Sequence, residues 1–208
     1  MGPVLLDLDR TLVDMQSFTD YAAAWAEVRD LVDPALAGAG PATGWSSATR
    51  ACMGLVAALP AGALWETVSA AVARHERAAI PRSVPMPGAA DFLTALGDRP
   101  RAVVTLLPED VARAVLARHD LRIEVVVGRD PTIRPKPSGE GLRAALTRLG
   151  APSADAVMVG DSSWDAAAAA DAGTAFIGVH AGADEFTALR PTVPACSSLA
   201  EVLAHLPG

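Results

Sequence analysis

Five short apolar runs, separated by stretches with helical periodicity, leave this chain very few folds to adopt. The runs are Val4–Leu6, Ala102–Val104, Ile123–Val127 (interrupted by Glu124), Ala156–Val159 and Ala175–Val179. None alternates apolar with polar residues, which is the pattern of a strand buried on both faces. Between them, Phe92, Leu93 and Leu96, then Val111, Val115 and Leu116, then Leu142, Leu146 and Leu149 recur at helical spacings. Buried strands alternating with helices predict an α/β fold, a doubly wound parallel sheet of five central strands covered on both faces.

Residues 15–85 break this rhythm. They contain no strand-like run and read as helices: Phe18, Tyr21, Trp25, Val28 and Val32 form one apolar stripe, and Leu64, Val68 and Val72 a second. Asp33 to Gly44 is rich in Gly, Pro and Ala and reads as a linker, as does the proline-stiffened segment Ile80 to Gly88. The expected organisation is therefore an α/β core of residues 1–14 and 86–208, with a small α-helical cap of residues 15–85 inserted after the first strand. The Ala-rich stretch Ala166 to Ala170 reads as a helix packed closely against its neighbours.

Composition excludes several partners. Of 208 residues, 51% are hydrophobic and 20% charged, enough to bury a core, and the formal charge is −7. Without a basic surface or a Lys/Arg run the chain is not expected to bind nucleic acid. The longest uncharged stretch, Ala51 to Trp65, is interrupted by Gly54, Pro60 and Gly62 and falls short of the ~20 residues that span a bilayer, so no membrane association is expected. Asp7 and Asp9 sit where a signal peptide would need apolar residues, and the expected location is the cytoplasm. Cys52 and Cys196 match no metal or redox spacing, and His75, His119, His180 and His205 form no cluster, so these residues are read as packing or surface groups.

In an open parallel sheet, ligands bind beyond the carboxyl ends of the strands. There the runs end in Asp7-Leu8-Asp9-Arg10-Thr11, in Thr105, and in Gly160-Asp161-Ser162-Ser163-Trp164-Asp165, while Lys136 lies between Pro135 and Pro137 ahead of a helix. Singly, each is an ordinary capping or turn residue. Together they place four carboxylates, one hydroxyl and one ammonium at one edge. Two like charges 4 Å apart repel by about 4 kcal/mol at an effective dielectric near 20, so the set needs a divalent cation or protonation, of Asp9 for example. All-oxygen ligands without His or Cys favour Mg²⁺. Such a site suits a phosphoryl group: positive charge for its oxygens, one carboxylate to attack phosphorus and another to move a proton.

In these residues the chain resembles the haloacid dehalogenase (HAD) superfamily, in its phosphoglycolate-phosphatase-like branch with a helical cap. The motifs stand in order as DLDRTLVD, AVVT, RPKPSGEGL and VMVGDSSWDAAAAADAG, and the likeness spans essentially the whole chain. The resemblance implies that Asp7 is a nucleophile forming an aspartyl-phosphate and Asp9 the acid and base. It implies that Asp7, the main-chain carbonyl of Asp9, and Asp161 hold Mg²⁺ with support from Asp165. Thr105 and Lys136 would hold the phosphoryl oxygens, and Thr11 would brace the first loop. Arg10 stands where the family usually has Gly, and Leu106-Leu107-Pro108 replace the usual small polar residues after Thr105.

Specificity in this family rests with the cap, where Gln16, Asp20, Tyr21, Trp45 and Arg50 are candidates. Arg50, like Arg10, is a candidate to read a substrate carboxylate or second phosphate, although a solvated helix Arg is the plainer reading. The implied function is a Mg²⁺-dependent phosphatase of a small phosphorylated metabolite, phosphoglycolate-like or a sugar phosphate. The alternatives are a sugar phosphomutase and a catalytically weak binding protein on the same fold. Asp9 argues against a dehalogenase, which does not need the second acid. The long insertion after strand one argues against a response-regulator receiver.

Overall fold

The structure, a computed structural model, describes residues 1–179, 185–186 and 194–207. Its main sheet has six strands: β1 (Val4–Leu6), β4 (Arg101–Pro108), β5 (Val125–Arg129), β6 (Val157–Gly160), β7 (Ala175–Val179) and the short β8 (Ala195–Cys196). Their order is β5-β4-β1-β6-β7-β8, every pairing parallel, with Leu6 opposite Val103 on one side and Val159 on the other. Ranked by position in the chain, this is the 3-2-1-4-5-6 order of a doubly wound sheet, whose direction of winding reverses between β1 and β6.

Alternation within buried strands divides the core into two layers. Val4, Leu6, Val103, Val157 and Val159 point to the face covered by α4 (Ala89–Ala95), α5 (Glu109–Arg118) and α8 (Leu199–His205). Leu5, Ala102, Val104 and Met158 point to the face covered by α6 (Glu140–Leu149) and α7 (Ser163–Ala172). The alanines of α7 serve close approach: a Cβ added to Gly139 would lie 2.5 Å from the backbone nitrogen of Ala172. Helix α6 stops at Gly150, whose φ of 66° suits glycine.

Residues between β1 and α4 are largely helical, as expected: α1 (Tyr21–Val28), α2 (Ser47–Ala58) and α3 (Ala63–Ala79) pack together. Three expectations need correcting. Val13–Asp14 (β2) pairs antiparallel with Val84–Pro85 (β3), so the helical segment leaves and rejoins the core through a two-stranded stem. Pairs this short carry no periodicity that a sequence can display. Leu64 is 42% exposed, because the α3 stripe that packs inward is Val68 and Val72 with Trp65. The linker Asp33 to Gly44 holds a 3₁₀ helix, Pro34–Gly38, and its far end is fastened to the core: Ala42 O accepts from Ser163 Oγ (2.7 Å) and Pro41 O from Trp164 Nε1 (3.0 Å).

Among the described residues no helix is long and apolar enough to cross a membrane. Both cysteines are buried. His75 faces Glu27 at 2.7 Å and His119 faces Ser83 at 2.9 Å, while His180 lies outside the described residues. His205 is an exposed group on the last turn of α8, with its ring near Cys196 and Glu201. Glu201 there accepts from the backbone and hydroxyl of Ser197 at the start of α8, which is a capping arrangement.

Candidate active site

The site is built where β1 and β6 end side by side. After Leu6 the chain doubles back at once: Leu12 and Val13 both donate to Leu8 O, and Arg10 N donates to Val13 O at 2.7 Å. A turn this tight needs one left-handed residue, and Arg10 supplies it with φ 62°. That conformation costs an L-residue roughly 1 kcal/mol. Its side chain reaches Asp161, Nε to Oδ2 3.5 Å, and is 43% exposed. The position where glycine would be ordinary therefore carries a cation at the edge of the site.

Asp7 sits at the base, 5% exposed. Lys136 Nζ donates to Asp7 Oδ1 and to Asp165 Oδ1, each at 2.5 Å, and Thr11 Oγ1 donates to Asp7 Oδ2 at 3.4 Å. Asp165 occupies the first turn of α7, where Ser162 is the N-cap. Its Oδ2 accepts from the backbone and the hydroxyl of Ser162 at 3.1 and 2.6 Å, closing a capping box. Gly160 is needed beneath it, for a Cβ there would lie 2.5 Å from Asp165 Cγ. Thr105 lies within β4, not at its end, because the strand runs on to Pro108 through an irregularity in register. Its Oγ1 accepts from Leu107 N at 3.2 Å, which leaves its own O–H free to donate.

Asp9 Oδ1 accepts from Met15 N (2.8 Å) and Gln16 N (3.0 Å), while Oδ2 is bonded to no described residue. Burial outweighs those two bonds and pushes the Asp9 carboxyl up to about 7. Burial also lifts Asp7 to about 7, against the opposing pull of Lys136. Asp161 is raised well above the ordinary range, by burial first and then by the charges of Asp7, Asp165 and Asp9. Burial pulls the Lys136 ammonium down, but Asp165 and Asp7 more than offset it and hold it above its usual value. One ammonium thus serves two carboxylates, and a third faces them.

Asp7, Asp161 and Asp165 each bring a carboxylate oxygen within 4.8 Å of the others, all three in the interior. A buried, all-oxygen donor set with surplus negative charge fits a hard divalent cation.

A pocket partly open to solvent lies above these groups. From the sequence expectations it is lined by Asp7, Asp9, Thr105, Lys136, Asp161 and Asp165, and from the cap candidates by Gln16, Tyr21 and Trp45. Arg10 and Arg50 are not in its wall, and Asp20 instead caps α1 by accepting from Ala23 N. Sequence reasoning missed Thr49 and Met53, which ride on α2 with no motif to mark them. Leu106 and Leu107, which the sequence marks as a departure after Thr105 bearing on leaving-group contacts, also line it.

A doubly wound sheet with an acidic cage at the point where its winding reverses is the frame of one class of hydrolase. The chain belongs to the haloacid dehalogenase-like hydrolase family, whose profile matches residues 4–173. It is 33% identical over 211 residues to "Probable phosphatase IndB" of Dickeya dadantii, covering 91% of this chain and 87% of that one. It is 43% identical over 91 residues to a phosphoglycolate phosphatase of Rhodospirillum rubrum, covering 42% and 38% of the two chains. Among solved structures, a hydrolase from Pseudomonas syringae superposes with a TM-score of 0.72 at 23% identity over 99% of this chain and 98% of that one, a likeness of fold.

Proposed function

We propose that this hydrolase is a cytoplasmic, Mg²⁺-dependent phosphatase that cleaves a small phosphate monoester through an aspartyl-phosphate on Asp7, with residues 15–85 acting as a cap over the core of residues 1–14 and 86–208. The observation that carries the reading is the position of Asp7: a buried carboxylate held by Lys136 at 2.5 Å, beside two further carboxylates and at the floor of a cavity. The names of its relatives point to the same chemistry.

In this reading an Asp7 oxygen attacks phosphorus and the ester P–O bond breaks. Asp9, raised to about 7 by burial, is protonated in a large fraction of molecules near neutrality and gives its proton to the departing alkoxide. Asp9 then takes a proton from water, whose oxygen attacks the same phosphorus and releases phosphate from Asp7. Lys136 has three N–H groups and spends two on Asp7 and Asp165, leaving the third for a phosphoryl oxygen. Thr105 has a free O–H for another. Both oxygens of Asp165 receive bonds from Lys136 or Ser162, so its chief part is to hold Lys136 in place. Asp7, Asp161 and the carbonyl of Asp9 would hold Mg²⁺, which supplies positive charge to the phosphoryl group when bound.

The test is phosphate release from a panel of monoesters. Activity should disappear with EDTA and return with Mg²⁺, and Asp7→Asn should lower turnover by about a thousandfold or more. Turnover that survives either treatment refutes the corresponding assignment.

A further inference from the structure

The leaving-group end of the cavity is unlike its phosphate end. Tyr21, Trp45, Met53, Leu106 and Leu107 form its wall; Tyr21, Met53 and Leu106 belong to one apolar cluster with Trp45 packed against it, and Leu107 belongs to the core beneath the sheet. Among the described residues Lys136 is the sole cation in the lining, and its two partners there are carboxylates. Arg50 lies outside the wall and Arg10 is engaged with Asp161. A substrate carrying a carboxylate or a second phosphate would find no free cationic partner for that charge among the described residues, and an unpaired buried charge is costly. Hydroxyl groups of a sugar fare little better: the Tyr21 hydroxyl is turned to Glu76 (3.4 Å) and that of Thr49 to Ser46 (2.9 Å).

The Trp45 side of the wall is tied to the core. Trp45 packs against Trp164 with ring centroids 5.2 Å apart, and Trp164 is itself pinned by its bond to Pro41 O. Gly40 lies directly against the Trp164 ring, where a Cβ would be 2.3 Å from it. Glu185 ties the two sides together, accepting from Gly44 N at 2.8 Å and Ser163 N at 2.9 Å. A preorganised aromatic plane recognises another flat face at little entropic cost.

We propose that the preferred substrate is a phosphate monoester whose alcohol carries no second charge and presents a flat, unsaturated ring to Trp45, with Gln16 meeting polar atoms on the ring edge. This rests on the phosphatase reading above. It sets the chain apart from hydrolysis of phosphoglycolate or of a polyhydroxylated sugar phosphate.

The experiment compares kcat/KM for benzyl phosphate, 2-phosphoglycolate and glucose 6-phosphate in Mg²⁺. Benzyl phosphate is chosen because its leaving alcohol has ordinary aliphatic basicity, so a preference reports binding and not intrinsic reactivity. Wild type should favour benzyl phosphate by about tenfold or more, Trp45→Ala should raise its KM by about tenfold while changing phosphoglycolate far less, and Trp45→Phe should restore most of the difference. A preference for phosphoglycolate or glucose 6-phosphate overturns the proposal, as does a Trp45→Ala loss that is equal for all three. Calorimetric binding of benzylphosphonate against phosphonoacetate separates the two levels of inference. Tighter benzylphosphonate binding by a wild type that hydrolyses none of the esters supports the pocket chemistry while refuting the phosphatase reading, and tighter phosphonoacetate binding refutes the pocket chemistry whatever the turnover.

Discussion

Glu76→Gln should be among the most damaging single substitutions in this chain outside the active site. Glu76 lies in α3 and Arg129 closes β5, and both side chains are fully shielded from solvent. The pair is two-pronged, Nη1 to Oε1 at 3.2 Å and Nη2 to Oε2 at 2.8 Å, and Arg129 also donates to Leu106 O and Ser69 O. Among the described residues its Nε has no partner, so the burial of the guanidinium is incompletely compensated. Glutamine keeps the shape but removes the charge and one acceptor, leaving a buried cation unneutralised. Breaking such a pair from one side costs about 3–5 kcal/mol. At roughly 2–4 °C per kcal/mol for a chain of this size, Tm should fall by roughly 6–20 °C. Urea unfolding at unchanged m value measures the loss, and the double variant Glu76→Leu with Arg129→Met should lose less than the sum of the two single variants, since no buried charge is then left unpaired although Leu106 O, Ser69 O and the Tyr21 hydroxyl lose a partner. A Glu76→Gln loss below about 1 kcal/mol, the scale of a surface ion pair, would refute the argument.

Asp9 makes stability depend on pH. Its carboxyl is held at about 7 in the fold against an ordinary 3.8, so between these values the folded chain binds more protons than the unfolded one and stability falls as pH rises. In metal-free protein the decline between pH 5 and pH 7 should be visibly shallower in Asp9→Asn, as followed by Tm, and parallel curves would contradict the assignment. Arg10→Gly relieves a left-handed side chain at φ 62° but frees the unfolded chain and removes a half-exposed ion pair. Stability should therefore change by less than about 1 kcal/mol, whereas the Mg²⁺ concentration for half-maximal activity should fall several-fold once the guanidinium leaves Asp161; a rise would refute this. Gly40→Ala meets Trp164 and a φ of 97° at once, and should cost about 1–3 kcal/mol in chemical denaturation with a red shift in tryptophan emission; unchanged stability would show that residues 39–46 do not clamp the ring.

How much of this was legible in the residue order follows the range of the forces concerned. Strand and helix identity is set by local periodicity and capping, so Val4–Leu6, the helices opened by Pro108 and Ser162, and the stop at Gly150 could all be read directly. The convergence of the candidate site was legible as well, because a parallel sheet exposes its strand ends at one edge: Asp7, Asp161 and Lys136 come together since β1 and β6 are neighbours and α6 begins beside them.

Tertiary structure alone decided what surrounds that cage. Nothing near Glu76 in the sequence announces Arg129, and nothing near Gly40 announces Trp164, because these partners are joined by burial across separate elements and not by spacing. For the same reason Arg50 could be a candidate in the sequence and absent from the cavity, while Thr49 and Met53 on the same helix line it. A helix has one face toward the site, and which face it presents is settled only when the apolar stripes of α1, α2 and α3 pack together and close on Leu106 and Trp164.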